Sequence, residues 1–198
     1  MKKVGILGGT FDPIHLGHIE LARTALREYN LSEVRFMTGG NPPHKRDKQI
    51  TDARLRHDMV KLALLGKAGL AADDYEVNKA DYCYSAITLS ELRKLHPDWE
   101  IYFIIGEDSL RDLPKWYCPQ EVCKNCILLV YPRGDGGDLT ELIKMRKGEF
   151  DADIRKISAP CVDISSTVIR NRIREGEDIS CMVCDEVRAY IEEMGLYK

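Results

Sequence analysis

The stretch Lys3-Val4-Gly5-Ile6-Leu7-Gly8-Gly9-Thr10-Phe11-Asp12-Pro13-Ile14-His15-Leu16-Gly17-His18 decides the fold. Val4, Ile6 and Leu7 form a short apolar run that stops at two glycines, as a buried strand does when it enters a tight turn. Beyond the turn, Leu16, Ile19, Ala22, Leu26 and Tyr29 recur at helical spacing, so a helix of about four turns begins near His15. Strand, glycine turn and helix together present backbone N–H groups and a helix N-terminus to an anion such as phosphate. Gly8 and Gly9 let a ligand approach the backbone with no side chain in the way. His15 and His18 stand three apart, which puts them on one face of the first helical turn and aims them at one ligand.

Those histidines are poorly explained as packing, because they place polar atoms where the helix dipole already favours an anion. The glycine spacing is not that of the dinucleotide fingerprint G-x-G-x-x-G, and the lysine of a P-loop is missing. The stretch Gly9-Thr10-Phe11-Asp12-Pro13-x-His15-x-Gly17-His18 resembles the signature of the nucleotidyltransferase superfamily that carries H-x-G-H. Within it, GGTFDPIHLGH is similar to the bacterial nicotinate-nucleotide adenylyltransferases.

The chain has 198 residues, 44% hydrophobic and 31% charged, which suits one globular domain over 1–198 with a substantial core. No apolar run reaches the roughly 20 residues that span a bilayer. The N-terminus enters a strand without a signal-peptide pattern, so a cytoplasmic location with no membrane partner is expected. A net charge of −3 gives no general footprint for nucleic acid, so phosphate-binding charge must be local. Oligomeric state is open, and a homo-oligomer is compatible with everything here.

Four of the seven cysteines form the pairs Cys123-x-x-Cys126 and Cys181-x-x-Cys184. One reading is a zinc site with thiolates from both pairs. The other is reduced cysteines committed to packing, favoured because Cys126 opens the apolar run Ile127-Leu128-Leu129-Val130 and Cys181 adjoins Met182 and Val183.

Further along, Glu33–Met37 reads as a second strand ending at Thr38-Gly39-Gly40. The loop Asn41-Pro42-Pro43-His44-Lys45-Arg46 follows, stiffened by its prolines and cationic at the end of a strand. In an open parallel sheet that end faces the ligand crevice, so His44 and Lys45 are candidates for a phosphate. Leu55, Met59, Leu62 and Ala63 predict a helix over 52–65, capped by Thr51 or Asp52. Tyr75–Val77 reads as a weak third strand, and Ser85–Leu95 as a helix stopped by His96-Pro97. Glu100–Gly106 is almost unbroken in its apolar character, which a strand covered on both faces requires. Gly106-Glu107-Asp108 then repeats the opening logic of strand, glycine and helix start. Ile127–Tyr131 is a further strand leading to Pro132-Arg133, Leu139–Arg146 a short helix, and Ile154–Ile157 a final strand. Alternating strands and helices predict an α/β, Rossmann-like, doubly wound parallel sheet with helices on both faces.

A second constellation lies in Asp163-Ile164-Ser165-Ser166-Thr167-Val168-Ile169-Arg170. Ser165 or Ser166 can cap a helix, and Arg170, four residues after Ser166, shares its face and can clamp a phosphate in bidentate fashion. The string I-S-S-T-x-I-R also resembles the superfamily's second signature.

The resemblance implies adenylyl transfer from ATP to nicotinate mononucleotide, giving nicotinate adenine dinucleotide and pyrophosphate for NAD synthesis. It assigns His15, His18 and Arg170 to catalysis. ATP would be held by Gly8, Gly9, Thr10, Phe11, His18, Gly106, Asp108, Ile164, Ser165, Ser166 and Arg170. The mononucleotide would be held by Thr10, His44, Lys45, Ser85, Trp116, Tyr117 and Arg133, with the flat faces of Trp116 and Tyr117 suited to a pyridinium ring. Magnesium is implied as the cofactor, held by phosphates and water with no protein ligand. One departure stands out: Cys83-Tyr84-Ser85-Ala86-Ile87-Thr88-Leu89 occupies the place of the family's S-Y-T-x-D-T-L, so Ile87 replaces an aspartate. Nicotinamide mononucleotide as acceptor, phosphopantetheine as acceptor, and a nucleotide-binding module without turnover are the alternatives. The last is opposed by intact His15, His18, Ser165, Ser166 and Arg170.

Overall fold

Two apolar runs, Val4–Leu7 and Ile101–Ile105, lie side by side at the centre of a sheet, because residues apolar on both faces need cover on both faces. A computed structural model describes residues 1–40, 50–79, 82–132, 138–158 and 164–198. The strands are β1 (Lys2–Gly9), β2 (Glu33–Thr38), β3 (Leu70–Asp73), β4 (Trp99–Gly106), β5 (Ile127–Tyr131) and β6 (Ile154–Lys156). They form one parallel sheet in the order β3-β2-β1-β4-β5-β6. This is the doubly wound, Rossmann-like topology expected from the alternation of strands and helices.

The helices are α1 (Leu16–Glu28), α2 (Ala53–Leu64), α3 (Ser85–Leu95), α4 (Glu107–Asp112), α5 (Pro119–Asn125), α6 (Leu139–Phe150), α7 (Ser166–Arg174) and α8 (Asp185–Glu193). A single 3-10 turn, Leu113–Lys115, follows α4. Side-chain alternation along β4 separates two cores. Tyr102 and Ile104 point to one face, which is covered by Ala22 and Ala25 of α1, Met59 and Val60 of α2, Ile169 of α7, and Val187 and Ile191 of α8. Ile101, Phe103 and Ile105 point to the other, where Leu89 of α3, Leu110 of α4, Val122 of α5 and Leu142 of α6 cover them.

Local chemistry sets several boundaries. Asp52 caps α2 by accepting from the Arg54 amide at 2.8 Å. The Asp73 carboxylate accepts from the Tyr75 amide at 2.9 Å, and Val77 N–H bonds the Asp74 carbonyl, so the chain turns just after β3. This corrects the strand expected at Tyr75–Val77: Leu70–Asp73 pairs with Val34–Met37, and residues 75–78 form the turn. Helix α6 continues past Arg146 to Phe150 and stops where Asp151 adopts a left-handed φ of 47°. Helices α5 and α8 were not foreseen. Each is short, with its buried positions reduced to Val122 and Cys123 in α5 and Val187 and Ile191 in α8.

The zinc reading fails on topology. Cys123 and Cys126 pack in one core and Cys184 in the other, so the sheet stands between the pairs. Among the described residues, no group of three or more His, Cys, Asp or Glu side chains is placed to hold a metal ion. No helix among them is long and apolar enough to cross a membrane.

Candidate active site

Strand β1 leads left to β2 and strand β4 leads right to β5, so the chain diverges above Gly9 and Gly106 and leaves a crevice there. The loop Thr10–His15 and the start of α1 form one wall, and the start of α4 another. Helix α7 arrives from far along the chain. The Ser166 hydroxyl donates to the Pro13 carbonyl at 2.9 Å, and Arg170 Nη1 donates to the Asp12 carbonyl at 2.7 Å. The two motifs picked out in the sequence therefore meet in one place.

His15 caps α1 from an extended backbone conformation. Its ring stacks on that of His18, with centroids 3.6 Å apart and 24° between planes. The His15 amide donates to His18 Nδ1 at 3.2 Å. A neutral imidazole whose Nδ1 accepts must carry its proton on Nε2, which makes His18 a donor at its outer edge. The Phe11 ring meets His18 edge-on, 5.1 Å between centroids, and limits its rotation. The backbone amides are less available than expected. Leu16 N–H is bound to the Met182 carbonyl at 2.8 Å and His18 N–H to the His15 carbonyl at 3.0 Å, so the side chains carry more of any anion contact.

The two glycines have different causes. Gly8 is exposed to the crevice, and a Cβ there would touch only the Phe103 ring at 3.4 Å, consistent with close ligand approach. A Cβ on Gly9 would stand 2.7 Å from Phe11 Cε1. Gly9 makes room for this chain's own phenylalanine, a second reason for glycine at this position. Phe11 itself is buried at a left-handed φ of 50° and packs into the core against Phe36.

Beneath the loop lie two residues absent from the expected site. Arg56 of α2 is 1% exposed and donates to the carbonyls of Thr51 (2.7 Å), Thr10 (2.5 Å) and Gly40 (3.2 Å). Burial pulls its guanidinium below the usual arginine value, and the charge of Asp12 opposes the shift. The Tyr197 hydroxyl donates to Asp12 Oδ1 at 2.7 Å, and burial together with that carboxylate raises the phenol. The signal for Arg56 was present: it shares the buried stripe of Met59, Val60 and Ala63 at i, i+3, i+4 and i+7, while Leu55 is only half-buried. Tyr197 carries no such signal.

On the far side, Ser85 opens α3 after Tyr84, whose ring lies 4.8 Å from that of Tyr117. Tyr117 is 54% exposed, whereas Trp116 is half-buried and meets Phe103 edge-on at 6.4 Å. Phe103 also faces Gly8, so Trp116 reaches the β1 end of the crevice through one ring. Glu76 accepts from the Thr88 hydroxyl at 2.8 Å, and burial holds its carboxyl above the usual glutamate value against the pull of Thr88. Ile87 is exposed on the first turn of α3. Asp108 is exposed in the first turn of α4, beside Glu107, which is buried and paired with Arg111 at 2.5 Å.

In α7, Ser165 is the cap and accepts from the Val168 amide at 3.2 Å. Ile164 packs on the core. Ser166, a candidate phosphate contact, donates its hydroxyl proton to the Pro13 carbonyl and docks α7 on the loop. His44, Lys45 and Arg133 lie outside the described residues.

Comparison with known proteins gives the family and the fold. The cytidylyltransferase-like family model matches residues 6–172. A protein of Clostridium novyi named "Probable nicotinate-nucleotide adenylyltransferase" is 41% identical over 201 residues, covering 100% of both chains. The protein of that name from Clostridium kluyveri is 40% identical over 203 residues, with the same coverage. Among solved structures, Plasmodium falciparum nicotinic acid mononucleotide adenylyltransferase complexed with NaAD has a similar fold, with a TM-score of 0.84 at 21% identity over 100% of this chain and 98% of that one. The same protein complexed with APC gives 0.82 at 20% identity over the same shares.

Proposed function

The chain belongs to the nicotinate-nucleotide adenylyltransferases of the cytidylyltransferase-like family, and we propose that it transfers the adenylyl group of ATP to nicotinate mononucleotide in NAD synthesis. The observation that carries this reading is the docking of Arg170 and Ser166 on Asp12 and Pro13, which brings both motifs to one crevice. On this reading residues 1–198 act as one nucleotidyltransferase domain, in the cytoplasm, on small nucleotides rather than on nucleic acid or membrane.

The mononucleotide phosphate attacks the α-phosphorus of ATP in line. One P–O bond forms there as the bond to the β-phosphate oxygen breaks, and the electron pair leaves with pyrophosphate. The nucleophile is already anionic, so neither a base nor a covalent intermediate is needed. Catalysis then rests on positioning and on donors aimed at charge that grows in the transition state. His18 donates from Nε2 to the α-phosphate oxygens, with His15 stacked beside it. Arg170 has Nη1 on the Asp12 carbonyl and Nη2 on the Thr167 hydroxyl, and would turn its remaining N–H groups to the departing pyrophosphate. Magnesium bound to the ATP phosphates would supply charge neutralisation for the departing pyrophosphate. Gly106 and Asp108 border the adenosine side, and Ser85, Trp116 and Tyr117 the acceptor side.

The test is pyrophosphate release from ATP and magnesium with nicotinate mononucleotide and nicotinamide mononucleotide as parallel acceptors. Preference for the acid is expected. Activity with the amide alone would keep adenylyl transfer and change the acceptor. Silence with both, alongside ATP binding, would overturn the reading in favour of a nucleotide-binding module.

A further inference from the structure

We propose that Arg56 and Tyr197 are positioning residues for adenylyl transfer, bracing the loop Thr10–Pro13 from its buried side; the proposal rests on the function just given. The loop lies between β1 and α1, outside the regular hydrogen bonding of either, yet it carries the wall against which the triphosphate must be aligned. Its carbonyl side is held from three places. Arg56 takes Thr10, Arg170 takes Asp12, and Ser166 takes Pro13, while Tyr197 holds the Asp12 side chain.

Arg56 has no carboxylate within ion-pair distance among the described residues, so its charge is buried for its geometry. A guanidinium is a rigid planar fork. Here it fixes three carbonyls relative to one another: Thr10 in the loop, and Gly40 and Thr51 at the two ends of the segment joining β2 to α2. An apolar side chain of similar volume would fill the space and leave those carbonyls without their donor. Tyr197 works on the same loop from the chain after α8. Its phenol anchors the Asp12 carboxylate, one residue from Phe11, whose ring limits His18. Arg56 is fully buried, and the Tyr197 hydroxyl is spent on Asp12, so each is placed to act through the loop.

Tyr197→Phe removes one hydroxyl and keeps the ring, so it tests the brace without emptying the core. The expected result is a fall in kcat of about tenfold, with KM for ATP and for the mononucleotide within about twofold, because misplacement of the loop weakens contacts formed most fully in the transition state. Arg56→Lys keeps the charge but cannot span all three carbonyls, and a fall of about a hundredfold is expected. Should Arg56→Lys fail to fold, Tyr197→Phe decides alone. A wild-type kcat in Tyr197→Phe, or a loss fully recovered at saturating substrate, overturns the proposal. So does a loss that only tracks the unfolded fraction. If the wild-type protein releases no pyrophosphate with either acceptor, the functional reading has failed instead. Amide exchange at Thr10, Phe11 and Asp12 then decides the brace: faster exchange in Tyr197→Phe supports it, and equal rates overturn it.

Discussion

Arg170 Nη1 donates to the main-chain carbonyl of Asp12 at 2.7 Å, joining residues 158 apart in the chain and making one site from two motifs. The same side chain therefore docks α7 on the loop, while its Nη2 donates to the Thr167 hydroxyl at 3.4 Å. A lysine can satisfy the carbonyl or a phosphate, but not both in fixed geometry. Arg170→Lys is expected to lower kcat/KM by about a hundredfold, with a smaller effect on thermal stability. Steady-state kinetics and a melting curve check it; wild-type kinetics would remove Arg170 from the phosphate contacts.

His18 is held as an Nε2–H donor by the amide of His15, 3.2 Å from Nδ1. His18→Ala should reduce kcat by about a hundredfold or more while the fold is kept, since the residue is half-exposed and its loss empties no core. Long-range proton–nitrogen NMR correlations report the tautomer directly. A dominant Nδ1–H form would contradict the hydrogen bond and the role built on it.

The contact of Phe11 with Gly9 predicts a cost for the smallest possible side chain. Gly9→Ala sets a Cβ 2.7 Å from the ring, and a loss of about 1–3 kcal/mol follows from overpacking. The cause is isolated by a double-mutant cycle: in a Phe11→Leu background the penalty of Gly9→Ala should shrink. An unchanged penalty would show that something other than the ring demands glycine.

Burial raises the carboxyl of Glu76 above its ordinary value of 4.5. The folded state then binds the proton more tightly than the unfolded chain. The associated stability is fully present below 4.5 and is lost as pH rises through the higher folded-state value. Glu76→Gln keeps an acceptor for the Thr88 hydroxyl and removes the titration. Its melting temperature should match the wild type near the ordinary glutamate range and exceed it increasingly towards neutral pH. Parallel pH–melting curves for the two proteins would refute this.

Burial pushes the Cys123 thiol up to about 11, and Cys126 higher still while its Sγ donates to the Val122 carbonyl at 3.2 Å. Cys118 and Cys181 are exposed. Among the described cysteines, alkylation of the folded protein at pH 8 should mark Cys118 and Cys181 before Cys123, because the thiolate fraction of Cys123 is on the order of one in a thousand there. Peptide mapping by mass spectrometry gives the order; early labelling of Cys126 would be incompatible with its packing.

Much of this molecule is written within a few residues at a time. The apolar run of Val4, Ile6 and Leu7 with its glycine stop, the helical recurrence after His15, and the apolar run from Ile101 to Ile105 announce a parallel α/β sheet. The histidines three apart and the Ser165 cap followed by Arg170 are legible for the same reason, because helix geometry fixes neighbours at those spacings. Short segments were misplaced or missed where local preference is weak, as with Leu70–Asp73, whose strand is decided by pairing with β2. Only the tertiary structure decided what holds the site: Arg56 under Thr10, Ser166 on Pro13, Tyr197 on Asp12, and Phe11 over Gly9. Most of these contacts join residues 46, 153 and 185 positions apart. A pattern read along the chain records which faces are apolar, but a hydrogen bond across such distances exists only once the sheet has folded and brought its partners together.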